Sequence, residues 1–181
     1  MSNDQLLIIN LQEERTKHSA FSELVATYQE RLYWHIRKIV LNHDDTDDIL
    51  QNTFLKAWKG IDNFRAESGL FTWLYRIATN ESLTFLEQKK KKSMSGIDDV
   101  KDYLLENLET DSHFDGDEIE LKLQKAIACL PEKQRLVFNM RYYDNMKYQD
   151  MEKILDTSEG ALKASYHHAA KKIEEYFKSG T

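Results

Sequence analysis

Apolar residues recur at three- and four-residue intervals through most of this chain, the period of a helix buried along one face. From Ser19 to about Leu41, Phe21, Leu24, Val25, Tyr28, Leu32, Ile36 and Ile39 form one continuous stripe. A second stripe, Ile49, Leu50, Phe54, Ala57, Trp58 and Ile61, follows the acidic cluster Asp44, Asp45, Asp47 and Asp48. Carboxylates suit a first helical turn, where unpaired N–H groups and the macrodipole favour negative charge. After a polar link from Asp62 to Gly69, Leu74, Ile77, Ala78 and Phe85 predict a third helix that runs out in Lys89–Lys92. Lysines suit a helix C-terminus.

Between residues 93 and 118 the periodicity weakens, Gly96 and Gly116 appear and acids accumulate, which predicts a flexible linker with a marginal turn around Val100–Leu108. The pattern resumes with Asp117 and Glu120 in capping-box spacing and a stripe of Ile119, Leu123, Ala126, Ile127 and Leu130. Pro131 then stands where a helix start tolerates proline, with Leu136, Val137, Met140 and Tyr143 facing inward. Two further patterns follow: Tyr148–Leu155, and a helix from the N-cap Ser158 carrying Leu162, Tyr166, Ala169, Ile173 and Phe177. Joined by a turn of about three residues, they have the layout of a helix-turn-helix. The fold class expected is therefore all-α: a three-helix domain over 1–92, a flexible acidic linker over 93–118 and a four-helix domain over 119–181.

Composition narrows the function. With 41% hydrophobic and 31% charged residues in 181, the chain can bury a core. No apolar run nears the roughly 18 residues of a membrane span. Met1–Leu11 carries Asp4 and no basic cluster, so it does not read as a secretory signal. The single cysteine, Cys129, excludes an intramolecular disulfide, fits a reducing cytoplasm and lies beside an apolar stripe, where packing is its expected role. The net charge of −6 argues against a nucleic-acid partner until it is resolved along the chain. Residues 1–92 hold 13 cations and 13 acids, residues 93–118 hold 1 and 9, and residues 119–181 hold 11 and 9. The acidity belongs to the linker, and the two flanking domains are neutral and mildly basic.

Three outer faces are candidates for binding. On the last helix, Gly160, Lys163, Ala164, His167, His168 and Lys171 lie opposite Leu162, Tyr166 and Ala169, and small residues near its start would let the backbone approach a groove. An ordinary solvated face is the alternative there. The stretch from Phe64 to Arg76 interleaves aromatics with arginine, and Trp73, Arg76, Asn80 and Leu83 share a stripe away from Leu74, Ile77 and Ala78. An aromatic beside a cation and an amide can stack an unpaired base and bond its edge; the alternative is that Phe71 and Trp73 are core. On the second helix, Gln51, Asn52 and Leu55 lie between Asp48 and Lys59, a face suited to a protein partner. Nothing catalytic is indicated. The six histidines form no HExxH, with His167 and His168 expected to point to different sides of their helix, and no glycine-rich phosphate loop is present. The Asp44–Asp48 cluster lacks the second acidic or phosphate-binding motif that a metal enzyme needs. Neither cofactor nor metal is expected.

In combination these segments resemble a known family. The run DDTDDILQNTFLKAWKGIDNFRAESGLFTWLYRIATNESLTFLEQKKKK resembles region two of bacterial RNA polymerase sigma factors. The run AIACLPEKQRLVFNMRYYDNMKYQDMEKILDTSEGALKASYHHAAKKIEEYF resembles their region four. Both in order, with only a short linker between, is the arrangement of the extracytoplasmic-function (ECF) group. The resemblance implies a transcription initiation factor that binds core RNA polymerase and promoter DNA in the bacterial cytoplasm. It also implies an anti-sigma factor as partner, and neither a membrane nor a small-molecule substrate. By the same resemblance, Asp48, Gln51, Asn52 and Leu55 face the polymerase. Phe64, Arg65, Ser68, Phe71, Trp73, Arg76, Asn80, Lys89 and Lys90 meet the melted −10 element. Ser158, Gly160, Ala161, Lys163, Ala164, His167, His168 and Lys171 enter the −35 element. The chain departs from the family at Lys147, where a capping serine is frequent, at Glu152, where alanine is usual, and at Asp156, where glycine is common. Ala161, Ser165 and Ala170 stand where threonine and arginines are frequent, which implies weaker phosphate anchoring. An autonomous helix-turn-helix regulator, binding operators without polymerase, and a helical metal-dependent enzyme built on Asp44–Asp48 are the alternatives.

Overall fold

The computed structural model describes residues 3–92, 98–111 and 117–179, and every regular element among them is helical. In chain order these are α1 (Asn3–Gln12), α2 (Lys17–Val40), α3 (His43–Gly60), α4 (Leu70–Lys92), α5 (Asp98–Thr110), α6 (Glu118–Ala128), α7 (Glu132–Tyr142), α8 (Tyr148–Leu155) and α9 (Glu159–Lys178). The stripes read from sequence meet in the N-terminal half, where Leu24, Leu32 and Ile36 of α2 bury against Ile49 and Ala57 of α3 and Leu74 and Ala78 of α4. Caps set the starts. Asn42 accepts from the Asp45 N–H at 3.0 Å, Asp117 from the Glu120 N–H at 2.9 Å and Ser158 from the Ala161 N–H at 3.4 Å.

Helix α1 gave no signal in sequence because Leu6–Ile9 is apolar at consecutive positions and singles out no face. It buries Leu7 and Leu11, and Gln12 at its end donates to the Phe64 carbonyl at 3.0 Å. Helix α5 changes the linker. Leu104 and Leu108, one turn apart, are buried, Tyr103 donates to the Asp45 carboxylate, and Arg37 pairs with Asp111. The middle of the acidic segment is thus a docked helix whose acids Asp102, Glu106 and Glu109 face water. Gly96 and Gly116 lie outside the described residues.

One core runs from Leu24 through Leu74 to Met140, Met151, Ile154 and Leu162, because α8 packs on α4 and α7 touches α2. A second, smaller core holds Ala126, Ile127, Leu130, Phe138, Ala169 and Ile173. Polar groups bridge the same seam. Asn139 donates to the Lys38 carbonyl at 3.2 Å, Lys38 pairs with Asp144, and the His35 ring nitrogen Nδ1 lies 3.5 Å from the other Asp144 oxygen. His35 is itself buried, with Nε2 2.8 Å from the Thr79 hydroxyl.

Three packing expectations are corrected. Ile119 is 69% exposed, because it sits in the first turn of α6, short of the face that meets α9. Cys129 is exposed at the C-cap of α6, where the chain turns out of the stripe. Phe177 is exposed near the end of α9, past the stripe, with the Lys122 ammonium 5.2 Å from its ring.

At Asp156, the C-cap of α8, φ is 48° and ψ 50°. A side chain in this left-handed region is strained, and glycine relieves the strain at some cost in unfolded-state entropy. Asp156→Gly is expected to stabilise by about 0.5 kcal/mol, raising the melting midpoint by roughly 1–2 °C; a lower midpoint by calorimetry would show the turn to prefer aspartate.

Candidate nucleic-acid interface

The three candidate faces fall on three exposed surfaces. On α3, Asp48, Gln51, Asn52 and Leu55 are all exposed, and Leu55 is 58% so. Inside the same helix Ile49, Thr53 and Ala57 are buried, and the Thr53 hydroxyl donates to the Ile49 carbonyl at 2.8 Å. The outer face is therefore held by a helix whose inner face has no freedom to rotate. Asp45, by contrast, is taken up by Tyr103, and burial first, then that hydrogen bond, push the Tyr103 hydroxyl above its ordinary pKa. Among the described residues no three His, Cys, Asp or Glu side chains converge to hold a metal.

The aromatic stretch divides by depth. Phe64 is only 6% exposed, so as a direct contact to a base it is corrected to a core residue: the 3-10 turn Ile61–Asn63 folds it under Trp73, ring centroids 4.9 Å apart. Phe71 is half-buried between Tyr75, whose ring centroid is 4.2 Å away, and the Arg31 guanidinium, 4.1 Å from its ring. Trp73 is half-buried with one face against Phe64, which matches the packing alternative in part, and Leu83 packs on the core. Arg65, Arg76 and Asn80 are exposed, and Ser68 is partly so.

Between α3 and α4, Trp73 and Asn80 join Lys56, Gly60, Asn63 and neighbouring Ile77 and Glu81 to line a cleft of about 370 Å³. Lys56 pairs with Glu81 across it. An indole ring, two amides and an ion pair around a volume that admits a nucleobase can stack and hydrogen-bond one flipped base. Lys56 and Asn63 were not singled out in the sequence, since their convergence with Trp73 is a product of helix pairing. Lys89 is drawn elsewhere, its ammonium 5.2 Å from the Phe85 ring and 5.0 Å from the Tyr103 ring. Lys90 is exposed beside the corner between α6 and α7.

On α9, Ser158, Gly160, Ala161, Lys163, Ala164, His167, His168 and Lys171 are exposed, and Leu162, Ala169 and Ile173 anchor the opposite side. Lys163 bonds Glu159 at 2.8 Å, and that hydrogen bond and charge raise its pKa. Part of its charge is thereby already neutralised. A helix turned by α8 and α9, with small residues at an exposed N-terminal end, fits a major groove by shape more than by charge.

Fold and faces together define an all-helical protein with three exposed candidate binding faces. Comparison with known sequences makes this specific. The profile described as Sigma-70 region 2 matches residues 24–92, and that described as Sigma-70, region 4 matches residues 120–173. The ECF RNA polymerase sigma-E factor of Haemophilus influenzae is 29% identical over 181 residues, covering 94% of this chain and 93% of its own. The RNA polymerase sigma-H factor of Pseudomonas aeruginosa is 28% identical, covering 95% and 92%. Among solved structures, CnrH in complex with the cytosolic domain of CnrY superposes with a TM-score of 0.72 at 20% identity, over 99% of this chain and 100% of that one. The sigma factor RpoE of Bartonella quintana, in complex with the anti-sigma factor NepR, gives 0.67 at 19% identity, over 87% and 96%. This chain belongs to the bacterial RNA polymerase sigma factors, in the ECF group. No described helix is long and apolar enough to cross a membrane.

Proposed function

We infer that the chain is a transcription initiation factor of the ECF type, which binds core RNA polymerase, brings it to selected promoters and assists melting at the −10 element. It acts in the bacterial cytoplasm by binding alone, with no covalent chemistry of its own. The observation that carries this reading is the cleft between α3 and α4, where Trp73, Asn63 and Asn80 surround a volume fit for one extruded base beside the exposed Arg76. Capturing that base lowers the cost of opening the duplex. The −10 contacts are assigned to Arg65, Ser68, Trp73, Arg76, Asn80 and Lys90, with Phe64, Phe71 and Lys89 supporting them from behind. The −35 contacts are assigned to the exposed α9 face from Ser158 to Lys171, and the polymerase contact to Asp48, Gln51, Asn52 and Leu55. An anti-sigma factor is the proposed regulatory partner, in keeping with the anti-sigma factor bound to the similar RpoE.

The autonomous regulator is disfavoured because it leaves the half matching region 2 without a role. Reconstitution with bacterial core polymerase and mapping of transcript starts tests the function: starts preceded by shared −10 and −35 motifs are expected. Tight, sequence-specific duplex binding by the purified chain, without polymerase-dependent starts, would favour the regulator. Within that assay, Asn80→Ala is expected to slow open-complex formation by about tenfold, since a captured base contributes roughly 1–3 kcal/mol. Polymerase affinity should be unchanged, and a permanganate footprint of wild-type strength would remove Asn80 from the site.

A further inference from the structure

A second cleft, of about 380 Å³, lies where the end of α4, the start of α5 and the corner between α6 and α7 meet. Val100, Ala128, Leu130 and Pro131 give it apolar walls, and Lys90, Lys101 and Arg135 bring three cations against the single lining acid, Glu132. Arg135 is unusual. It is only 4% exposed, its Nη1 donates to the Leu130 carbonyl at 3.2 Å, and its Nε donor has no hydrogen-bond partner. Buried guanidinium groups are ordinarily paired, because desolvating the charge is costly without a counter-ion. Burial accordingly pulls its pKa below the ordinary value, and the charge of Glu132 opposes this only in part. The same cleft includes the start of α7, whose N-cap Pro131 has no side-chain hydrogen bond to offer the free N–H groups of the first turn. Unpaired N–H groups and the helix dipole favour an anion at that point.

We propose that this cleft binds a phosphate-class oxyanion, held by Arg135, Lys90, Lys101 and the N-terminus of α7. A lining charge of three cations against one acid matches a group carrying about two negative charges rather than a single carboxylate. The bearer is either a small phosphorylated molecule or the backbone of a single-stranded nucleic acid, since Lys90 continues the lysine run that ends α4.

Cys129 supplies the reporter. It is the one cysteine of the chain, it is exposed and it lines the cleft. The rate of its alkylation by iodoacetamide would be measured on the full chain at constant ionic strength, against inorganic pyrophosphate in one arm and a single-stranded oligonucleotide in the other, with chloride as control. Saturable protection is expected in at least one arm. Protection by pyrophosphate identifies a small phosphorylated ligand, and protection by the oligonucleotide alone identifies a nucleic-acid backbone. Lys101→Ala, at the exposed rim, is expected to raise the half-protection concentration about tenfold, the loss of one charge-assisted contact. Lys133→Ala, on α7 but outside the cleft, is expected to leave it unchanged. Absence of protection in both arms, or equal weakening by the two substitutions, would overturn the proposal.

Discussion

Leu55→Asp is expected to weaken binding to core RNA polymerase by at least about a hundredfold, the range of an apolar anchor lost from the centre of an interface. The geometry favours a large effect. Leu55 projects 58% exposed from the middle of α3, flanked on the helix by Gln51, Asn52 and Asp48, while the turns beneath are fixed by Ile49, Thr53 and Ala57. Because the side chain touches little of its own core, the substitution should leave the melting midpoint nearly unchanged, as surface changes usually do. Affinity measured by anisotropy with labelled chain separates binding from folding. A dissociation constant within threefold of the wild type would place the polymerase contact elsewhere.

Asp144→Ala is expected to be the most destabilising single change at the seam between the two halves, by about 3 kcal/mol, because it leaves Lys38 facing a buried gap. For a chain of this size that lowers the melting midpoint by roughly 6–12 °C. Burial would raise the Asp144 carboxyl, but His35 and Lys38 beside it outweigh this and hold its pKa below the ordinary value. It is therefore ionised at neutral pH. His35 is shifted the other way by its surroundings: burial lowers its pKa, while the Asp144 carboxylate opposes and Lys38 assists. The folded chain keeps this ring neutral at pH values where the unfolded chain has begun to protonate it, so the unfolded state binds more protons and stability falls as pH drops below about 6.5. Thermal unfolding at pH 7 and pH 5 should show a larger loss for the wild type than for His35→Gln. Equal losses would mean that the ring does not titrate on unfolding.

Most of the fold was legible because most of it is amphipathic. The stripes at Phe21–Ile39, Ile49–Ile61 and Leu136–Met140 lie on helices that bury them, and Asp117 and Ser158 cap where the spacing placed them. What was not legible depends on neighbours. Val100, Leu104 and Leu108 make a helical stripe too, but the acids between them match a disordered composition until Tyr103 meets Asp45 and Arg37 meets Asp111. The candidate faces follow the same division. The outward positions on α3 and α9 follow from knowing which side is apolar. Trp73 and Phe64 could not be sorted this way, since aromatic residues serve a core and a stacking surface alike, and only the turn at Ile61–Asn63 decides which ring is covered. Asp144 and Arg135 gave no periodic signal: Asp144 is a single charge whose partners His35 and Lys38 lie on α2, and Arg135 is a buried charge with no acid paired to it.

Helix α5 shortens the tether between the two halves. The 26 residues from 93 to 118 could stretch to roughly 85–94 Å if fully extended. With the 13 residues of α5 still helical, that half contributes only about 20 Å, and the total reach falls to roughly 62–67 Å. Two turns of B-DNA measure about 70 Å. Unwinding α5 would expose Leu104 and Leu108 to water and lengthen the reach by roughly 23–27 Å.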